Sequence, residues 1–416
     1  MEVAGVLNHF FRHEYGKLTS RITHLVGTDN IQQAEDIVQD VIEKAFEVWK
    51  IKGVPENPEG WLYTAARNKT IDYLRQAKKQ NFLTLEKLVD QSFPEVHRED
   101  PDDQQIRMMF VCCHPSLSEE SQVALMLKTL SAFSVAEIAR AFITNEETIA
   151  KRLYRAKEQF RNDPVSFELP DATDLLPRLD SVLKTIYLIY HEGFHSTHHA
   201  TPIREELIEE AIRLLSIIIE HPVGKQPQSL ALMALFCFHT ARIPARMDHH
   251  DQILTLPEQD RSRWNQEMIR AGENFLSQAS RGDTISRYHL EAAIAFEHCS
   301  AKHYSNTRWD RILKYYDLWL TIQPDPVIQL NRMVALAEVR GAADALKELD
   351  LLLNDKLKDY YLYYAIAAEL HTRLNNPLDA KINWEQARMR TQSPREIELI
   401  DRKLKILDFQ LRKDSF

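Results

Sequence analysis

The sequence is poor in glycine, in cysteine and in long apolar runs. Its 416 residues include only 10 glycines, and the Asn-Gly and Asp-Gly pairs that close β-hairpins are absent. No apolar run reaches the roughly 18 to 20 residues needed to cross a bilayer. The cysteines lack the C-x-x-C spacing of metal and redox sites and are too few for a disulfide framework: Cys112, Cys113, Cys237 and Cys299. We therefore expect an all-α protein with reduced thiols and no membrane segment.

The N-terminus and the net charge narrow the class of protein further. The opening residues MEVAGVLNHFFRHEYGKL lack the basic segment, apolar core and cleavage site of a secretory signal, which predicts a cytoplasmic protein. The formal net charge is -9. A whole-chain sum of this sign can still conceal local basic faces, and such faces are what contact nucleic-acid phosphates.

Two amphipathic helices of opposite charge are predicted near the N-terminus. Residues 33–50, QAEDIVQDVIEKAFEVWK, place apolar residues on one helical face and acids on the other. The stretch 52–60, with two prolines and two glycines, ends this helix. A second predicted helix, 61–80, contains a single acid, Asp72, and five basic residues: Arg67, Lys69, Arg75, Lys78 and Lys79.

The basic helix has two interpretations. In the first it binds DNA, through phosphate contacts, a base-edge contact from an amide and stacking of an unpaired base on an indole; the residues are Trp61, Arg67, Asn68, Arg75 and Lys78. In the second, the basic residues complement the helix dipole and Trp61 belongs to the core. Charge alone favours neither.

An acidic stretch separates this region from a second basic unit. Residues 83–105 hold two prolines, many acids and little periodicity, which is typical of a linker. We therefore predict an N-terminal domain over 1–82, an acidic linker over 83–108 and a second domain over 109–165.

The second domain has the pattern of a helix-turn-helix. SVAEIARAF (134–142) opens with Ser134 and Glu137, the spacing of a capping box. After the turn ITN comes a basic amphipathic helix, EETIAKRLYRAKEQFR (146–161). The alternative is a helical hairpin with a solvated basic face.

If this unit binds DNA, its second helix supplies the contacts. The N-terminal half of a recognition helix reads bases, which nominates Glu147, Thr148, Lys151 and Arg152. Arg155, one turn further on, would reach phosphate.

From about 170 to 416 the sequence predicts a helical-repeat extension. GAADALKEL (341–349) and NNPLDAKINW (375–384) place Asp344 and Asp379 35 residues apart, each after an amphipathic segment. A period near 34 is typical of tetratricopeptide-like (TPR-like) helical repeats.

These motifs together resemble those of a known family. AEDIVQDVIEKAFEVW (34–49), a loop and WLYTAARNKTIDYLRQ (61–76) resemble region 2 of the bacterial extracytoplasmic-function (ECF) sigma factors of the sigma-70 family. Residues 116–160, from SLSEESQ to KEQF, resemble region 4 of the same family. LIYHEGF (188–194) and ALMALFCFHTAR (231–242) are similar to a subgroup with a TPR-like C-terminal extension.

The resemblance implies a non-enzymatic transcription initiation factor with no cofactor and no metal, whose partners are core RNA polymerase and promoter DNA. Region 2 would dock on the β′ clamp helices through the acids of its first helix: Glu35, Asp36, Asp40 and Glu43. Region 4 would meet the β flap. The acidic linker would follow the RNA exit path.

For promoter DNA the resemblance assigns one element to each region. The second helix of region 2 would melt the minus-ten element and hold a flipped base, with the cost of unstacking offset by stacking and phosphate contacts. Region 4 would place helix 146–161 in the major groove of the minus-thirty-five element. The extension would act in cis, by binding a regulatory protein or the chain's own DNA-binding domains on a concave surface.

The stretch HEGFH (191–195) spells the zinc-hydrolase motif, with two imidazoles one turn apart and a glutamate as general base. Glu209 or Glu210 lies at a separation compatible with a third ligand. Gly193 weakens the helix that must align the imidazoles, by about 1 kcal/mol relative to alanine. We therefore predict no catalytic metal, and keep a zinc hydrolase and a TPR-type scaffold as alternatives.

The charged segment EQDRSRW (258–264) invites a catalytic interpretation as well. The structural interpretation is simpler. We expect Asp260 to cap a helix, an arginine to pair with a neighbouring carboxylate and Trp264 to pack beneath.

Overall fold

The computed structural model describes residues 2–77, 101–142, 144–194, 203–248, 254–352, 357, 359–391 and 393–413. These residues form eighteen α-helices and no β-strand, which confirms the all-α prediction. The chain divides into two compact units. The N-terminal unit comprises Met1–Gly193 and Glu209–Gly224, and the C-terminal unit comprises Phe194–Ile208 and Lys225–Phe416.

Nine helices belong wholly or mostly to the N-terminal unit. In chain order they are α1 (Glu2–Val26), α2 (Ile31–Lys52), α3 (Pro58–Ala77), α4 (Pro101–Cys112), α5 (Glu119–Ser131), α6 (Val135–Ala141), α7 (Glu146–Asn162), α8 (Ala172–Phe194) and α9 (Glu205–Glu220).

Helices α1, α2 and α3 share one apolar core. Val38 of α2 and Leu62 of α3 are fully buried in it. The Trp49 ring of α2 stacks on Phe11 of α1, with centroids 5.3 Å apart. The amphipathic period of residues 33–50 therefore predicts the buried face correctly, and Gly53, at φ 82°, follows the last turn of α2.

The helix-turn-helix forms as predicted. Ser134 Oγ accepts a hydrogen bond from Glu137 N at 3.1 Å, and the Glu137 carboxylate accepts one from Ser134 N at 2.7 Å, so the capping box is complete. Asn145 caps α7, since its Oδ1 accepts from Thr148 N at 2.7 Å. These local bonds begin α6 and α7 at the expected residues.

The predicted linker extends into a packed helix. Residues 83–100 lie outside the described residues, whereas 101–108 belong to α4. Ile106 and Met108 of α4 are buried. The acids Asp102 and Asp103 stand in the first turn of α4, where negative charge favours the helix dipole, and this is why the helix start has the composition of a linker.

Helix α8 is part of the N-terminal unit although its sequence belongs to the predicted extension. Its Leu179, Val182 and Ile186 are fully buried. Arg178 donates to the Phe110 carbonyl of α4 at 2.6 Å. The compact N-terminal unit therefore continues beyond the predicted limit at 165.

Nine further helices form the body of the C-terminal unit. They are α10 (Pro227–Ala241), α11 (Gln266–Ala279), α12 (Arg287–Ser300), α13 (Trp309–Ile322), α14 (Pro326–Arg340), α15 (Ala342–Leu352), α16 (Tyr361–Arg373), α17 (Pro377–Arg390) and α18 (Pro394–Lys413). Helix α10 is apolar around most of its circumference and is buried along nearly its whole length, which makes it the centre of this unit.

The two similar stretches, GAADALKEL (341–349) and NNPLDAKINW (375–384), lie in the second helices of two successive helix pairs, α14–α15 and α16–α17. The alanines that follow the matched aspartates, Ala345 and Ala380, are both fully buried. A methyl side chain lets two helices approach closely, so the 35-residue period corresponds to a repeated helix contact.

The EQDRSRW segment is structural. Asp260 Oδ1 accepts from Ser262 N at 2.9 Å and begins a short 3₁₀ turn, and Trp264 is buried, as predicted. The expectation of an arginine–carboxylate pair is not met at Arg261. Arg261 instead donates to two backbone carbonyls, His298 O and Ala301 O, because these groups at the end of α12 have no partner in their own helix.

None of the helices in the described part of the chain combines the length and apolar character that a membrane span requires.

Candidate polymerase- and DNA-binding surfaces

Three of the four acids predicted to bind polymerase are exposed on α2. Asp36 accepts from Gln32 at 2.8 Å and Glu43 from Gln39 at 3.0 Å, each one turn apart on the helix surface. Asp40 is exposed and forms an ion pair with Lys69 of α3. The exposed face of α2 is therefore acidic and available to a basic partner.

Glu35 differs from the other three acids. Its side chain is buried, with only 3% of the residue exposed. Its carboxylate accepts from Lys157 Nζ at 2.6 Å and from Thr129 Oγ1 at 2.9 Å. The expectation that all four acids face outward is therefore not met at Glu35, because α5 and α7 supply a basic and a hydroxyl partner for it.

The exposed face of α3 is polar and mixed in charge. Asn68 and Asp72 are exposed one turn apart, and Arg75 pairs with Asp72 at 3.4 Å. Arg67 is half-buried on the flank of this face. Lys78 lies outside the described residues. An acid therefore stands among the residues predicted to contact DNA.

Trp61 begins α3 but is not a free stacking platform. Its indole packs edge-on against Trp49, with centroids 5.7 Å apart, and it borders the core of the first three helices. Tyr63 lies under the guanidinium of Arg21, 5.3 Å from the ring centroid, and burial raises the pKa of its phenol. The packing of Trp61 at the start of α3 therefore agrees with the interpretation that this residue belongs to the core.

The outward face of α7 carries most of the residues predicted to read DNA. Glu147, Lys151 and Arg155 are exposed, and Thr148 is half-buried at the first turn. Lys151 pairs with Glu147 at 2.6 Å across one turn, with 63% of the lysine side chain exposed. Both side chains project from the first half of the helix, the part that enters a major groove in helix-turn-helix proteins.

Tyr154 is a candidate contact that the sequence pattern missed. It is 64% exposed on α7, between Lys151 and Arg155. An exposed aromatic ring on a basic helix face offers apolar contact to a thymine methyl group or to a sugar. Its spacing from Leu153 and Ala156, which are buried, is the signal that would have placed it outside the core.

Arg152 lies on the opposite flank of α7 from Lys157. It lines a cavity of about 240 Å³ together with Glu119, Glu120 and Leu188 of α8. Lys184 of α8 forms an ion pair with Glu119 at the same place. The first helix of the predicted extension thus lies beside a residue predicted to read DNA.

The histidine-rich stretch is described only in part. His191, exposed, and Glu192 lie in the last turn of α8, while His195, His198 and His199 lie outside the described residues. Glu210, one of the two acids at a separation compatible with a third ligand, accepts from Ser131 at 2.6 Å and pairs with Arg213 at 2.6 Å. Within the described ranges no three His, Cys, Asp or Glu side chains are grouped to hold a metal ion.

The C-terminal unit contains a cavity of about 520 Å³. Helices α13, α14 and α16 line it with Trp309, Tyr316, Val334 and Ile366. Charged residues that line it are in ion pairs, since Lys403 pairs with Glu369 at 3.8 Å and Arg373 with Glu338 at 2.8 Å. A volume of this size is in the usual range of ligand pockets.

Comparison with known protein families identifies three segments. The family described as "Sigma-70 region 2" matches residues 10–80, and the family described as "Sigma-70, region 4" matches residues 107–160. A third, "Family of unknown function (DUF6596)", matches residues 178–280, from α8 into the C-terminal unit. The first two ranges contain α2, α3 and the helix-turn-helix.

Two relatives show how far the similarity extends. The uncharacterized protein R00370 of Rhizobium meliloti (strain 1021) is 31% identical over 365 residues, which is 86% of this chain and 86% of that protein. The ECF RNA polymerase sigma factor SigL of Mycobacterium tuberculosis (strain ATCC 25618 / H37Rv) is 30% identical over 137 residues, 32% of this chain and 76% of SigL. No solved structure matches the chain. The chain therefore belongs to the ECF sigma factors of the sigma-70 family and carries an additional C-terminal helical domain.

Proposed function

We propose that this chain binds core RNA polymerase and directs it to promoters, contacting the minus-ten element through α3 and the minus-thirty-five element through α7. The observation that carries the proposal is the exposed first half of α7, where Lys151 and Arg155 project from a capped helix-turn-helix. The chain supplies promoter recognition and the polymerase supplies the chemistry, so the chain is a non-enzymatic factor. We place its action in the cytoplasm.

Polymerase binding is assigned to the acidic face of α2. Asp36, Asp40 and Glu43 are exposed there and suit the basic surface of the β′ clamp helices. The β flap is the partner we assign to region 4. The exposed acids of α2 and the DNA-reading residues of α7 are different side chains, so each surface can be changed by substitution without altering the other.

Run-off transcription with core polymerase tests the DNA assignment. Replacing Lys151 and Arg152 together by alanine should lower promoter-specific transcript by at least about 30-fold, because each base or phosphate contact of this kind contributes roughly 1 to 3 kcal/mol and two contacts are lost. Binding of the variant to core polymerase should be retained, since neither residue lies on the acidic face of α2.

The matched control removes the same charge elsewhere. Arg340 and Lys347 are exposed on α14 and α15, with 59% and 79% of their side chains accessible, and the double alanine variant should transcribe like the parent chain. Equal transcript from the Lys151/Arg152 variant and the parent would reject the assignment of α7.

The C-terminal domain is proposed to regulate initiation in cis. Its paired helices and its cavity of about 520 Å³ support a role in binding a regulatory partner. A chain ending at Gly224 keeps the whole N-terminal unit. It should give a promoter output that differs from that of the full chain, and identical output across promoters would contradict the regulatory role.

A further inference from the structure

The cavity of about 520 Å³ in the C-terminal unit has a wall of flat aromatic rings. Trp309, Ile312 and Tyr316 lie three and four residues apart on α13, so they share one face of the helix. The Trp309 ring packs edge-on against two neighbours, with its centroid 5.1 Å from that of His298 and 5.5 Å from that of Tyr304. Such a wall favours a flat apolar molecule, because aromatic rings offer a large contact area at a defined orientation.

The charged residues that line the cavity are neutralised within the unit. Besides the ion pairs of Arg373 and Lys403, Glu258 pairs with Arg402 of α18 at 3.4 Å. A charged ligand would have to break one of these pairs or keep its own charge unmatched. A charge removed from water without a counter-ion is strongly disfavoured, so the cavity favours an uncharged molecule.

A polar side chain of the wall has an unsatisfied nitrogen. His298 lines the cavity, and its Nδ1 is shielded from water and has no hydrogen-bond partner in the part of the chain that the structure describes. Burial lowers the pKa of this imidazole well below its ordinary value, so at neutral pH the ring is uncharged and offers one donor and one acceptor nitrogen. Leaving a buried polar atom unpaired is costly, and a hydroxyl or N–H group of a ligand would give the ring a partner.

Segments far apart in the sequence meet at this cavity. Thr255 and Glu258 close a turn just before the EQDRSRW segment, since Glu258 N donates to Thr255 O at 2.9 Å and the Glu258 carboxylate accepts from Thr255 N at 2.7 Å. Both residues line the cavity, and so do Leu399 and Lys403 of α18. A ligand stabilises the conformation that binds it, so a molecule held here would strengthen the association of this turn with α18.

We propose that this cavity is a receptor site for an uncharged small molecule with a flat aromatic part, which packs against Trp309 and forms a hydrogen bond with His298. The volume suits a molecule of drug size. An extended peptide fits less well, because its backbone groups need partners along its whole length and the apolar wall supplies none. The inference rests on the proposed regulatory role of the C-terminal domain, because it names a small molecule as the regulatory partner.

Two fluorescent dyes that share one ring system test the site on the full chain. N-phenyl-1-naphthylamine is uncharged, has flat aromatic rings and one N–H group, and brightens in apolar surroundings. The parent chain should bind it saturably, at one molecule per chain. The related 8-anilinonaphthalene-1-sulfonate adds a negative charge to the same rings and should bind at least about tenfold more weakly, since it finds no unpaired cation among the described residues of the wall.

A matched pair of variants locates the bound dye. Val334 of α14 lines the cavity and is 37% exposed, so Val334→Trp should fill the cavity without disturbing the core and abolish binding of the uncharged dye. Val339 of the same helix is 41% exposed and lies outside the cavity lining, so Val339→Trp should bind the dye like the parent chain. Circular dichroism checks that both variants are folded, and Val334→Phe is the milder replacement if Val334→Trp is not.

His298→Phe tests the hydrogen bond separately from the shape of the cavity. It keeps a flat ring beside Trp309 and removes both ring nitrogens. Affinity for the uncharged dye should fall by about fivefold, the factor that corresponds to the roughly 1 kcal/mol of one neutral hydrogen bond. Unchanged affinity in this variant would overturn the assignment of His298 as a ligand contact.

The outcomes separate this site from the proposed function. Absence of saturable binding to the parent chain overturns the receptor site and leaves the repeat surface to a peptide or a protein. Equal affinities in Val334→Trp and Val339→Trp also overturn it, because the dye then lies elsewhere, and tighter binding of the sulfonate overturns the uncharged class. All these measurements use the free chain. If removal of the C-terminal domain leaves promoter output unchanged, the regulatory role fails while dye binding still decides whether the site exists.

Discussion

Lowering the pH from 7 to about 4 should destabilise the C-terminal unit by about 3 kcal/mol through His298 alone. The imidazole is held in α12, where burial, together with the positive charges of Arg242 and Arg261, lowers its pKa to about 3. In the unfolded chain its pKa returns to the ordinary value near 6.5. Between these two values the unfolded chain binds a proton that the folded chain does not.

The direction of the effect follows from this difference. Stability contributed by the neutral imidazole is complete above about pH 6.5 and falls as the pH drops toward 3. Among the residues that the structure describes, Nδ1 of His298 has no hydrogen-bond partner, and its ring packs edge-on against Trp309 with centroids 5.1 Å apart. Phenylalanine preserves the ring and removes the titration, so His298→Phe should be close to the parent chain at pH 7 and less sensitive to acid.

Urea unfolding at a series of pH values, with hydrogen exchange of α12 peptides as the local probe, measures the difference between the two chains. Carboxylates elsewhere titrate equally in both and cancel. Parallel loss of stability in the parent chain and in His298→Phe between pH 7 and 4 would show that another group carries the acid sensitivity.

Local features of this fold could be predicted from the sequence because their causes are local. The capping box of Ser134 and Glu137 lies within one helical turn, and the apolar period of α2 determines which side of the helix is buried. The pairing of α14 with α15 and of α16 with α17 follows from a repeat that can be read directly. Each of these depends on residues a few positions apart.

Glu35 shows what a local pattern cannot determine. It adjoins Ala34 and Val38 on the helix, so its position at the edge of the apolar face is visible in the sequence. Its burial, however, depends on Lys157, 122 residues later in the chain. No periodicity connects two such positions, and a carboxylate at the edge of a helix is ordinarily solvated.

The end of the predicted linker and the partner of Arg261 also could not be predicted from a local pattern, because both depend on packing between helices. The acids at the start of α4 suit a helix N-terminus as well as they suit a linker, and only the packing of Ile106 and Met108 separates the two. Arg261 donates to backbone carbonyls at the end of α12 instead of to a carboxylate. Every residue has a backbone carbonyl, so such an acceptor cannot be recognised from the amino-acid sequence.

Replacing Arg261 by alanine should destabilise the C-terminal unit by about 3 to 6 kcal/mol, because two hydrogen bonds from a charged donor are lost at roughly 1.5 to 3 kcal/mol each. Its Nη1 lies 2.7 Å from both His298 O and Ala301 O, and its guanidinium packs over the Trp264 ring at 4.8 Å. The carbonyls at the end of α12 would be left without donors. Arg261→Lys should recover less than half of the loss, since an ammonium has neither the fork nor the flat face of a guanidinium.

Arg263 provides the matched control for this prediction. It stands two residues away in the same 3₁₀ turn, is exposed, and should change the free energy of unfolding by no more than about 0.5 kcal/mol when replaced by alanine. Equal losses in Arg261→Ala and Arg263→Ala would mean that net charge, and not the bonds to α12, stabilises the segment. Hydrogen exchange of α2 and α7 should be unaltered in both variants, because all the contacts of Arg261 described here lie inside the C-terminal unit. The charged EQDRSRW segment would then be a structural clamp for α12, separate from polymerase and promoter recognition.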